Sequence, residues 1–298
     1  MVVFPPNSSD AGFSSRVNHW QLRTRSLDTS GRPLLMGIIN VTPDSFSDGG
    51  RYFHADKAVE HALELARQGA DILDIGGEST RPYSDPVVLQ EELDRVIPVV
   101  EKIRAREDIV LSIDTSKAEV ARECVAQGVE IINDVTGFCG DEAMVSLAAE
   151  SQVGVCAMHM QGSPQTMQDA PEYENVVDEI FKYLSDRRDS LMEAGISSDR
   201  ICLDPGLGFG KNLSHNLKIL QQIDSFHRLH CPLLVGHSRK GFITKILEAE
   251  IGKESAPDRE AGTLGVSIFL ASRGVQILRV HNVAMTRQAL VLFEAAGH

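Results

Sequence analysis

Residues 34–50 read LLMGIINVTPDSFSDGG, in which an apolar run changes at once into a polar loop. The run from Leu34 to Val41 is aliphatic and β-branched and has the length of a buried strand. The loop that follows is acidic and rich in hydroxyl groups, contains one aromatic residue, Phe46, and ends in two glycines. The stretch therefore predicts a buried strand that carries polar groups at its C-terminal end.

Seven further stretches repeat this pattern of a short apolar run followed by polar residues. The eight predicted strands are Leu34–Val41, Asp71–Ile75, Ile109–Ile113, Ile131–Val135, Gly154–Met158, Arg200–Leu203, Pro232–Val235 and Gln276–Val280. Amphipathic helical segments separate these strands. In the clearest of them, the apolar residues share one helical face: Leu89, Leu93, Val96, Ile97 and Val100.

Four glycines stand just before predicted strands, where they are expected to end the preceding helices. They are Gly69, Gly128, Gly195 and Gly274. Eight β–α units between residue 34 and the C-terminus have the count and length of a single (β/α)8 barrel, the TIM barrel of the α/β class. A doubly wound open sheet is the alternative. Residues 1–30 are predicted to form a polar N-terminal extension, and residues 31–298 one barrel domain.

The composition narrows the kinds of partner that the chain is expected to have. A chain of 298 residues with 42% hydrophobic content can bury a large core. No apolar run approaches the 18 residues of a membrane span, and the N-terminus lacks the pattern of a signal peptide. Five dispersed cysteines predict free thiols in the cytoplasm. A net charge of −13 argues against nucleic acid as a partner.

Every predicted strand ends in side chains that form hydrogen bonds or ionise, and a barrel brings such strand ends to one mouth. In strand order these residues are Asn40, Glu78, Ser79, Thr80, Arg81, Asp114, Asn133, His159, Asp204, Ser238, Arg239, Lys240, Arg279 and His281. Buried carboxylates at Asp114 and Asp204 need hydrogen-bond donors. The sequence leaves two sources open, an internal Asp–Arg pair that braces the barrel or a ligand.

The basic residues of the mouth cluster after the last two strands. Loops at this position in TIM barrels often bind phosphate, and the start of a helix offers free N–H groups to an anion. An acidic protein with its cations at this corner is expected to bind an anionic substrate. The nearby stretch PGLGFGK at 205–211 fits neither a Walker A nor a dinucleotide-binding pattern. Its glycines are predicted to let the backbone approach a flat ligand closely.

Taken together, the motifs closely resemble those of the bacterial dihydropteroate synthase family. They are MGIINVTPDSFSDGG (36–50), DILDIGGESTRP (71–82), SIDTSKAEV (112–120), IINDVTG (131–137), MHMQGSPQTMQ (158–168), LDPGLGFGKNLSHN (203–216), SRKGFI (238–243) and RVHNV (279–283). The resemblance implies a (β/α)8 barrel, a homodimer and a sulfonamide target. It implies condensation of 7,8-dihydropterin 6-methyl diphosphate with 4-aminobenzoate, with Mg²⁺ accompanying the diphosphate, to give 7,8-dihydropteroate in folate biosynthesis.

The resemblance also implies roles for individual residues. The pterin is expected to meet Asp114, Asn133, Asp204 and Lys240. The diphosphate is expected to meet Arg279 and His281, with Asn40 as the protein ligand of Mg²⁺. The expected catalytic set is Asn40, Asp114, Asp204, Lys240, Arg279 and His281. The aminobenzoate slot is expected to use Thr80, Arg81, Pro82, Phe209, Ser238 and Lys240, and the wider substrate-binding set includes Met158, Gly208 and Val280.

In this family, the C–O bond to diphosphate breaks largely before the amine attacks, so the residues are expected to hold charge and position the amine. Residues Asp44, Ser45, Phe46 and Ser47 are expected to form a lid over the reacting centre, with Gly49 and Gly50 as its hinge.

The sequence departs from the family pattern at a few positions. Tyr83 and Ser84 stand where Gly-Ala is usual in the family, which predicts a stiffer loop. Leu207 stands where Phe is common, and His237 stands where an apolar residue or Thr is more frequent. Two other functions would share parts of this pattern. A methyltetrahydrofolate-type pterin methyltransferase has no use for STRP, SRK or RVH. A non-catalytic pterin-binding paralogue is expected to have lost the groups that bind diphosphate.

Overall fold

A computed structural model describes residues 15–42, 51–81, 83–253 and 259–297. Eight parallel strands form a barrel: β3 (Leu34–Asn40), β4 (Ile72–Gly76), β5 (Val110–Asp114), β6 (Ile131–Asp134), β7 (Gly154–Met158), β8 (Ile201–Asp204), β9 (Leu234–Val235) and β10 (Ile277–Val280). The strands lie in the order β8-β7-β6-β5-β4-β3-β10-β9, and a parallel bridge between Leu203 and Leu233 joins the two ends. The TIM barrel is confirmed, and the open sheet is wrong.

Helices surround the barrel and follow its strands in turn. They are α1 (Arg51–Arg67), α2 (Leu89–Arg104), α3 (Ala118–Ala126), α4 (Glu142–Ser151), α5 (Val176–Glu193), α6 (Leu213–Gln221), α7 (Gly241–Ile251), α8 (Arg259–Ser272) and α9 (Val283–Ala295). The four glycines predicted to end helices all have a positive φ, between 73° and 95°. The side chain of any other residue would be strained there, so this prediction is confirmed.

The two faces of the strands belong to different parts of the core. Residues such as Leu35, Ile75 and Leu278 face outward and are buried against the helices. The inward residues near the N-terminal ends form a second apolar cluster: Met36, Ile72, Val110, Ile131, Cys156, Cys202, Leu234 and Ile277. This lower layer fills the barrel, so only its C-terminal mouth is left for polar side chains.

An N-terminal hairpin closes the opposite end of the barrel. Its strands are β1 (His19–Gln21) and β2 (Ser26–Asp28), which pair antiparallel. Trp20 is fully buried in the lower apolar layer, and its indole Nε1 donates a hydrogen bond to the carbonyl oxygen of Arg200 at 2.9 Å. Gly154 makes room for the hairpin, because a Cβ atom there would lie 2.5 Å from Leu22. Residues 15–30 thus pack against the barrel, and the domain boundary at residue 30 stays a prediction.

The five cysteines are free thiols, as predicted, and Cys139 alone is exposed among them. No helix in the described ranges is long and apolar enough to cross a membrane.

Candidate active site

The inner face of the barrel becomes polar towards the C-terminal ends of its strands. Asp74 on β4, Asp114 on β5, Asn133 on β6 and Asp204 on β8 are buried there, and Arg279 on β10 lies among them. Each follows a residue of the lower apolar layer by two or four positions, as the alternation of strand faces requires. The barrel therefore gathers three carboxylates, an amide and a guanidinium above its apolar layer.

Two carboxylates share the guanidinium of Arg279. Its Nε donates to Asp74 Oδ2 at 2.6 Å, and its Nη2 donates to Asp114 Oδ2 at 2.7 Å. Burial raises the pKa of Asp114 to about 7, and the negative charge of Asp74 adds to this effect, although Arg279 opposes it. Burial lowers the pKa of Arg279, but the two carboxylates outweigh burial and raise it. Arg279 therefore supplies the hydrogen-bond donor that buried Asp114 needs. This is the internal Asp–Arg pair, one of the two possibilities that the sequence left open.

Asp74 was missed by sequence analysis, yet it also orients Asn133. The Asn133 Nδ2 donates to Asp74 Oδ2 at 3.2 Å. Because an amide has one donor end and one acceptor end, this bond leaves the Asn133 Oδ1 as an acceptor. The signal for Asp74 was available, since it is an acidic residue in the middle of an otherwise apolar strand.

Asp204 and Lys240 form a second charged group in the mouth. The Asp204 carboxylate accepts a hydrogen bond from the backbone N–H of Gly206 at 2.7 Å. Burial raises the pKa of Asp204 to about 6, against the influence of that hydrogen bond and of Lys240. Burial also lowers the pKa of Lys240 to about 8, and the charge of Arg279 contributes to this shift. The Lys240 Nζ lies 3.8 Å from the centre of the Phe209 ring, so it sits over an aromatic face.

His281 lies at the cationic corner predicted from the sequence. Its Nδ1 is 3.0 Å from the hydroxyl oxygen of Ser238. Burial lowers the pKa of His281 to about 3, helped by the charges of Arg239, Arg279, Lys240 and Arg81. Four cationic side chains therefore act on a neutral imidazole, although Arg239 is paired with Glu260 and Arg279 with Asp74 and Asp114.

The remaining predicted residues lie at varied positions around this mouth. Thr80 and Asp114 line a cavity of about 110 Å³. Arg81 is exposed on the loop after β4, and Met158 is buried in register with Asp204. Asn40 is half-buried at the end of β3, beside Gly76. Pro82 and the predicted lid, residues 44–47 with Gly49 and Gly50, lie outside the described residues.

One prediction about this region needs correction, and another stays a prediction. The Val280 side chain is fully buried in the core between strands and helices, on the opposite face of β10 from Arg279. Any contact of Val280 with a substrate would therefore come from its backbone, and its place in the substrate-binding set stays a prediction. The glycines of 205–211 do not chiefly make room for a ligand. A Cβ atom at Gly206 would lie 2.0 Å from the His159 carbonyl oxygen, and one at Gly210 would lie 2.5 Å from that of Gln161.

Gly208 differs from those two glycines. A Cβ atom there would lie 3.1 Å from Lys240, within the site. His159 has another set of neighbours, since its Nδ1 is 3.0 Å from the Nζ of buried Lys211, and its ring packs edge-on to Tyr183 at 4.8 Å. His159 and Lys211 thus support the loop behind Asp204.

Comparison with known proteins identifies the family. Residues 36–281 match the family model of pterin binding enzymes. The dihydropteroate synthase of Escherichia coli K12 is 46% identical over 270 residues, which cover 91% of this chain and 93% of that protein. The dihydropteroate synthase of Haemophilus influenzae is 42% identical over 266 residues, which cover 89% of this chain and 94% of that protein. The chain belongs to the dihydropteroate synthase family.

Solved structures of dihydropteroate synthases share the fold. The Yersinia pestis dihydropteroate synthase in a sulfonamide drug complex has a TM-score of 0.85 at 42% identity, covering 93% of this chain and 98% of its own. The Xanthomonas albilineans dihydropteroate synthase in complex with 7,8-dihydropteroate has a TM-score of 0.82 at 40% identity, with the same coverage. The predicted family, enzyme class and fold are therefore confirmed.

The departures from the dihydropteroate synthase pattern have structural explanations at two positions. Leu207 is fully buried in the core. His237 is also buried, its Nε2 lies 2.7 Å from the Ser267 hydroxyl, and burial lowers its pKa to about 4. Tyr83 is different because it is exposed at a φ of 64°, and its hydroxyl donates to Asp169 at 3.1 Å. Tyr83 therefore connects the loop after β4 with the loop after β7.

Proposed function

We propose that the protein condenses 7,8-dihydropterin 6-methyl diphosphate with 4-aminobenzoate, giving 7,8-dihydropteroate and diphosphate in folate biosynthesis. The observation that carries this proposal is the cationic corner around His281, which includes Arg279, the hydrogen-bond partner of the buried acceptor Asp114. A pterin diphosphate has a flat ring rich in donors at one end and a polyanion at the other. Few other small molecules combine these two features.

The inner residues suit the pterin ring. Asp114 and Asp204 supply carboxylate acceptors, and Asn133 supplies its amide oxygen because Asp74 holds the other end of the amide. Lys240 is a donor for the carbonyl and N5 side of the ring. Each charge-assisted hydrogen bond contributes about 1.5–3 kcal/mol. Together the three charged groups and the Asn133 amide are proposed to fix the ring in one orientation, with Met158 as an apolar contact.

The outer residues suit the diphosphate leaving group. Arg279 and His281 bind the anion, and Lys240 and Arg81 add positive charge nearby. As the C–O bond breaks, negative charge grows on the diphosphate, and fixed cations stabilise that charge with little reorganisation. No covalent nucleophile is required, since these residues stabilise the leaving group and hold the amine in line.

Asn40 is the proposed protein ligand of Mg²⁺. A single amide oxygen at the end of β3 fits a cation that keeps several waters and takes its other ligands from phosphate oxygens. When bound, Mg²⁺ neutralises charge on the diphosphate. The metal is therefore expected to bind together with the substrate.

The aminobenzoate slot is proposed to lie between the loop after β4 and the Phe209 ring. Thr80 and Arg81 are proposed to form one side of it, and Phe209, Gly208 and Lys240 the other, while Pro82 stays a prediction from the family resemblance. Ser238 directly precedes the turn into α7, so the carboxylate of aminobenzoate lies near the N-terminus of that helix. Because these residues also surround the slot that a sulfonamide enters, the same residues are proposed to set sulfonamide affinity.

The assembly and the cell compartment are also proposals. Leu292 on α9 is 71% exposed, and Met285 and Val291 on the same helix are exposed as well. This apolar surface supports a homodimer, which sedimentation velocity would test. Five free thiols support a reducing compartment, the cytoplasm.

Two other functions are less well supported. A methyltetrahydrofolate-type methyltransferase does not need the cations around His281. A non-catalytic pterin-binding paralogue does not need Asn40. The presence of both features favours the synthase.

The proposal is tested by mixing purified protein with both substrates and Mg²⁺ and measuring diphosphate release. We expect release only when pterin diphosphate, 4-aminobenzoate and Mg²⁺ are all present, and loss of release after chelation of the metal. Release that is independent of 4-aminobenzoate would indicate hydrolysis rather than condensation. No release, under conditions where the pterin binds, would refute the synthase function.

A further inference from the structure

The loop after β4 carries Thr80 and Arg81, and a charged cluster holds its base. At the centre of this cluster, the Lys117 Nζ donates to the carboxylates of Glu78 and Glu92, the latter at 2.5 Å. Glu78 lies in the loop, Glu92 lies on α2, and Lys117 lies in the turn between β5 and α3. One ammonium group therefore joins two successive β–α units of the barrel.

Glu92 links this cluster to the turn after Asp114. Its carboxylate is fully buried, and its Oε1 accepts a hydrogen bond from the Thr115 hydroxyl at 2.7 Å. Thr115 directly follows Asp114, the acceptor assigned to the pterin. Because Lys117 binds the other oxygen of the same carboxylate, the turn is held to α2 at two points.

Further contacts hold both ends of the loop against α2. A Cβ atom at Gly77 would lie 2.7 Å from Val96, so the chain lies directly on the helix there. The Gly77 carbonyl accepts a hydrogen bond from Arg95 at 2.6 Å. At the other end of the loop, the Val87 N–H donates to Glu78 Oε1 at 3.2 Å. Glu78 is thus the residue through which Lys117 acts on the loop.

The balance of charge makes Lys117 necessary to this arrangement. Burial lowers the pKa of Lys117, but hydrogen bonds to Glu78 and Glu92 outweigh burial and raise it, so the ammonium stays protonated. Without it, Glu92 would be a buried carboxylate with Thr115 as its remaining bonded donor. Its negative charge would also repel Glu78, which begins the loop.

We propose that Lys117 is a positioning residue for aminobenzoate binding. It fixes the loop that carries Thr80 and Arg81 relative to the turn that carries Asp114, and it does not itself touch a substrate. Glu78, Thr80, Asp114 and Thr115 line one common cavity, so a shift at the base of the loop reaches the slot directly. This inference rests on the proposed synthase function.

The test compares Lys117→Met and Lys117→Arg with the parent protein. For Lys117→Met we expect the KM for 4-aminobenzoate to rise about tenfold to a hundredfold, as displacement of positioning groups can produce. The Kd for the pterin diphosphate is expected to change less than about twofold, since Asp114 and its partners stay in place. Lys117→Arg keeps the charge and is expected to recover most of the loss.

A matched control separates this effect from general loss of an ion pair. Lys102→Met removes a lysine on α2 whose Nζ binds Asp56 at 2.6 Å on the outer surface, and it should alter neither constant. A double-mutant cycle with Glu78→Gln should be strongly non-additive, because both changes remove the same ion pair.

The outcomes distinguish a failure of the proposed synthase function from a failure of the positioning role of Lys117. An inactive parent protein refutes the synthase function itself. An active parent with an unchanged aminobenzoate KM in Lys117→Met refutes the positioning role, and so does an equal loss in pterin and aminobenzoate binding. If Lys117→Met does not fold, Glu78→Gln alone decides the question, since it removes the ion pair of Lys117 with the loop and leaves the buried Glu92 paired with Lys117.

Discussion

Asp114, Asp74 and Arg279 form one cluster at the level of single residues. The sequence left open whether Asp114 braces the barrel or binds a ligand. Asp114 pairs with Arg279, and Asp74 makes a second bond to the same guanidinium. If Asp114 binds the pterin as proposed, we expect Asp74 to keep Arg279 in place for the diphosphate.

The pKa of Asp114 leads to a prediction about pH. Burial raises this pKa to about 7, so the carboxyl is protonated below that pH and ionised above it. The ionised form accepts hydrogen bonds from the pterin more strongly, so pterin affinity should rise as the pH rises through about 7. A pterin without diphosphate should be used, because its phosphate groups would otherwise titrate in the same range.

Asp114→Asn is the control for this pH dependence. Isothermal titration of the variant should show pterin affinity about tenfold to a hundredfold weaker, from the loss of one charge-assisted bond. The step near pH 7 should vanish. A step near pH 6 should remain, since burial raises the pKa of Asp204 to about 6. If the variant keeps the step near pH 7, the assignment to Asp114 is wrong.

Arg81 gives a second prediction about a single residue. Arg81→Ala should raise the KM for 4-aminobenzoate about tenfold, through the loss of a charged contact, and should weaken pterin binding by much less. Arg106→Ala, an equally exposed arginine beyond the C-terminus of α2, should change neither. Steady-state kinetics with each substrate varied would measure both effects. If Arg81→Ala weakened pterin binding more than it raised the KM for 4-aminobenzoate, Arg81 would belong to the diphosphate site instead.

The strands and helix ends were the elements most open to prediction from sequence. Alternating residue types set the inner and outer faces, and left-handed glycines set the helix ends. Sequence analysis missed the side chains whose hydrogen-bond partners lie far away along the chain. Asp74 meets Arg279 across 205 positions of the chain, and no local pattern reports such a contact. The glycines at 206 and 210 were misassigned for the same reason, because the carbonyls they accommodate lie on the loop after β7.

The N-terminal hairpin gives a prediction at the scale of elements. Trp20→Ala should lower the free energy of unfolding by about 3–5 kcal/mol, because it leaves a cavity in the lower apolar layer of the barrel. Trp20→Phe should cost less, since most of the ring remains and only the bond to Arg200 is lost. Urea denaturation measures both, and pterin affinity should be unchanged in the folded variants. A cost below about 1 kcal/mol for Trp20→Ala would show that the hairpin does not close the barrel.

At the scale of the whole molecule, polar and apolar residues are separated along the barrel axis. The chain has a net charge of −13, yet four basic side chains at the mouth act on His281. The polar inner residues lie at that mouth, and the apolar layer with Trp20 lies at the opposite end. The barrel and the position of its site were predictable from the repeated pattern of strand and polar turn. The pairing of side chains inside the mouth was not, since it depends on the closure of the barrel.

The central claim is that this mouth joins a pterin to 4-aminobenzoate with loss of diphosphate. The most direct measurement follows both products in one reaction, dihydropteroate by mass spectrometry and diphosphate by a coupled assay. The account predicts equal amounts of the two products in the parent protein and neither above background when Arg279 is changed to Met. Diphosphate without dihydropteroate, or neither product from a folded protein that binds the pterin, would contradict it.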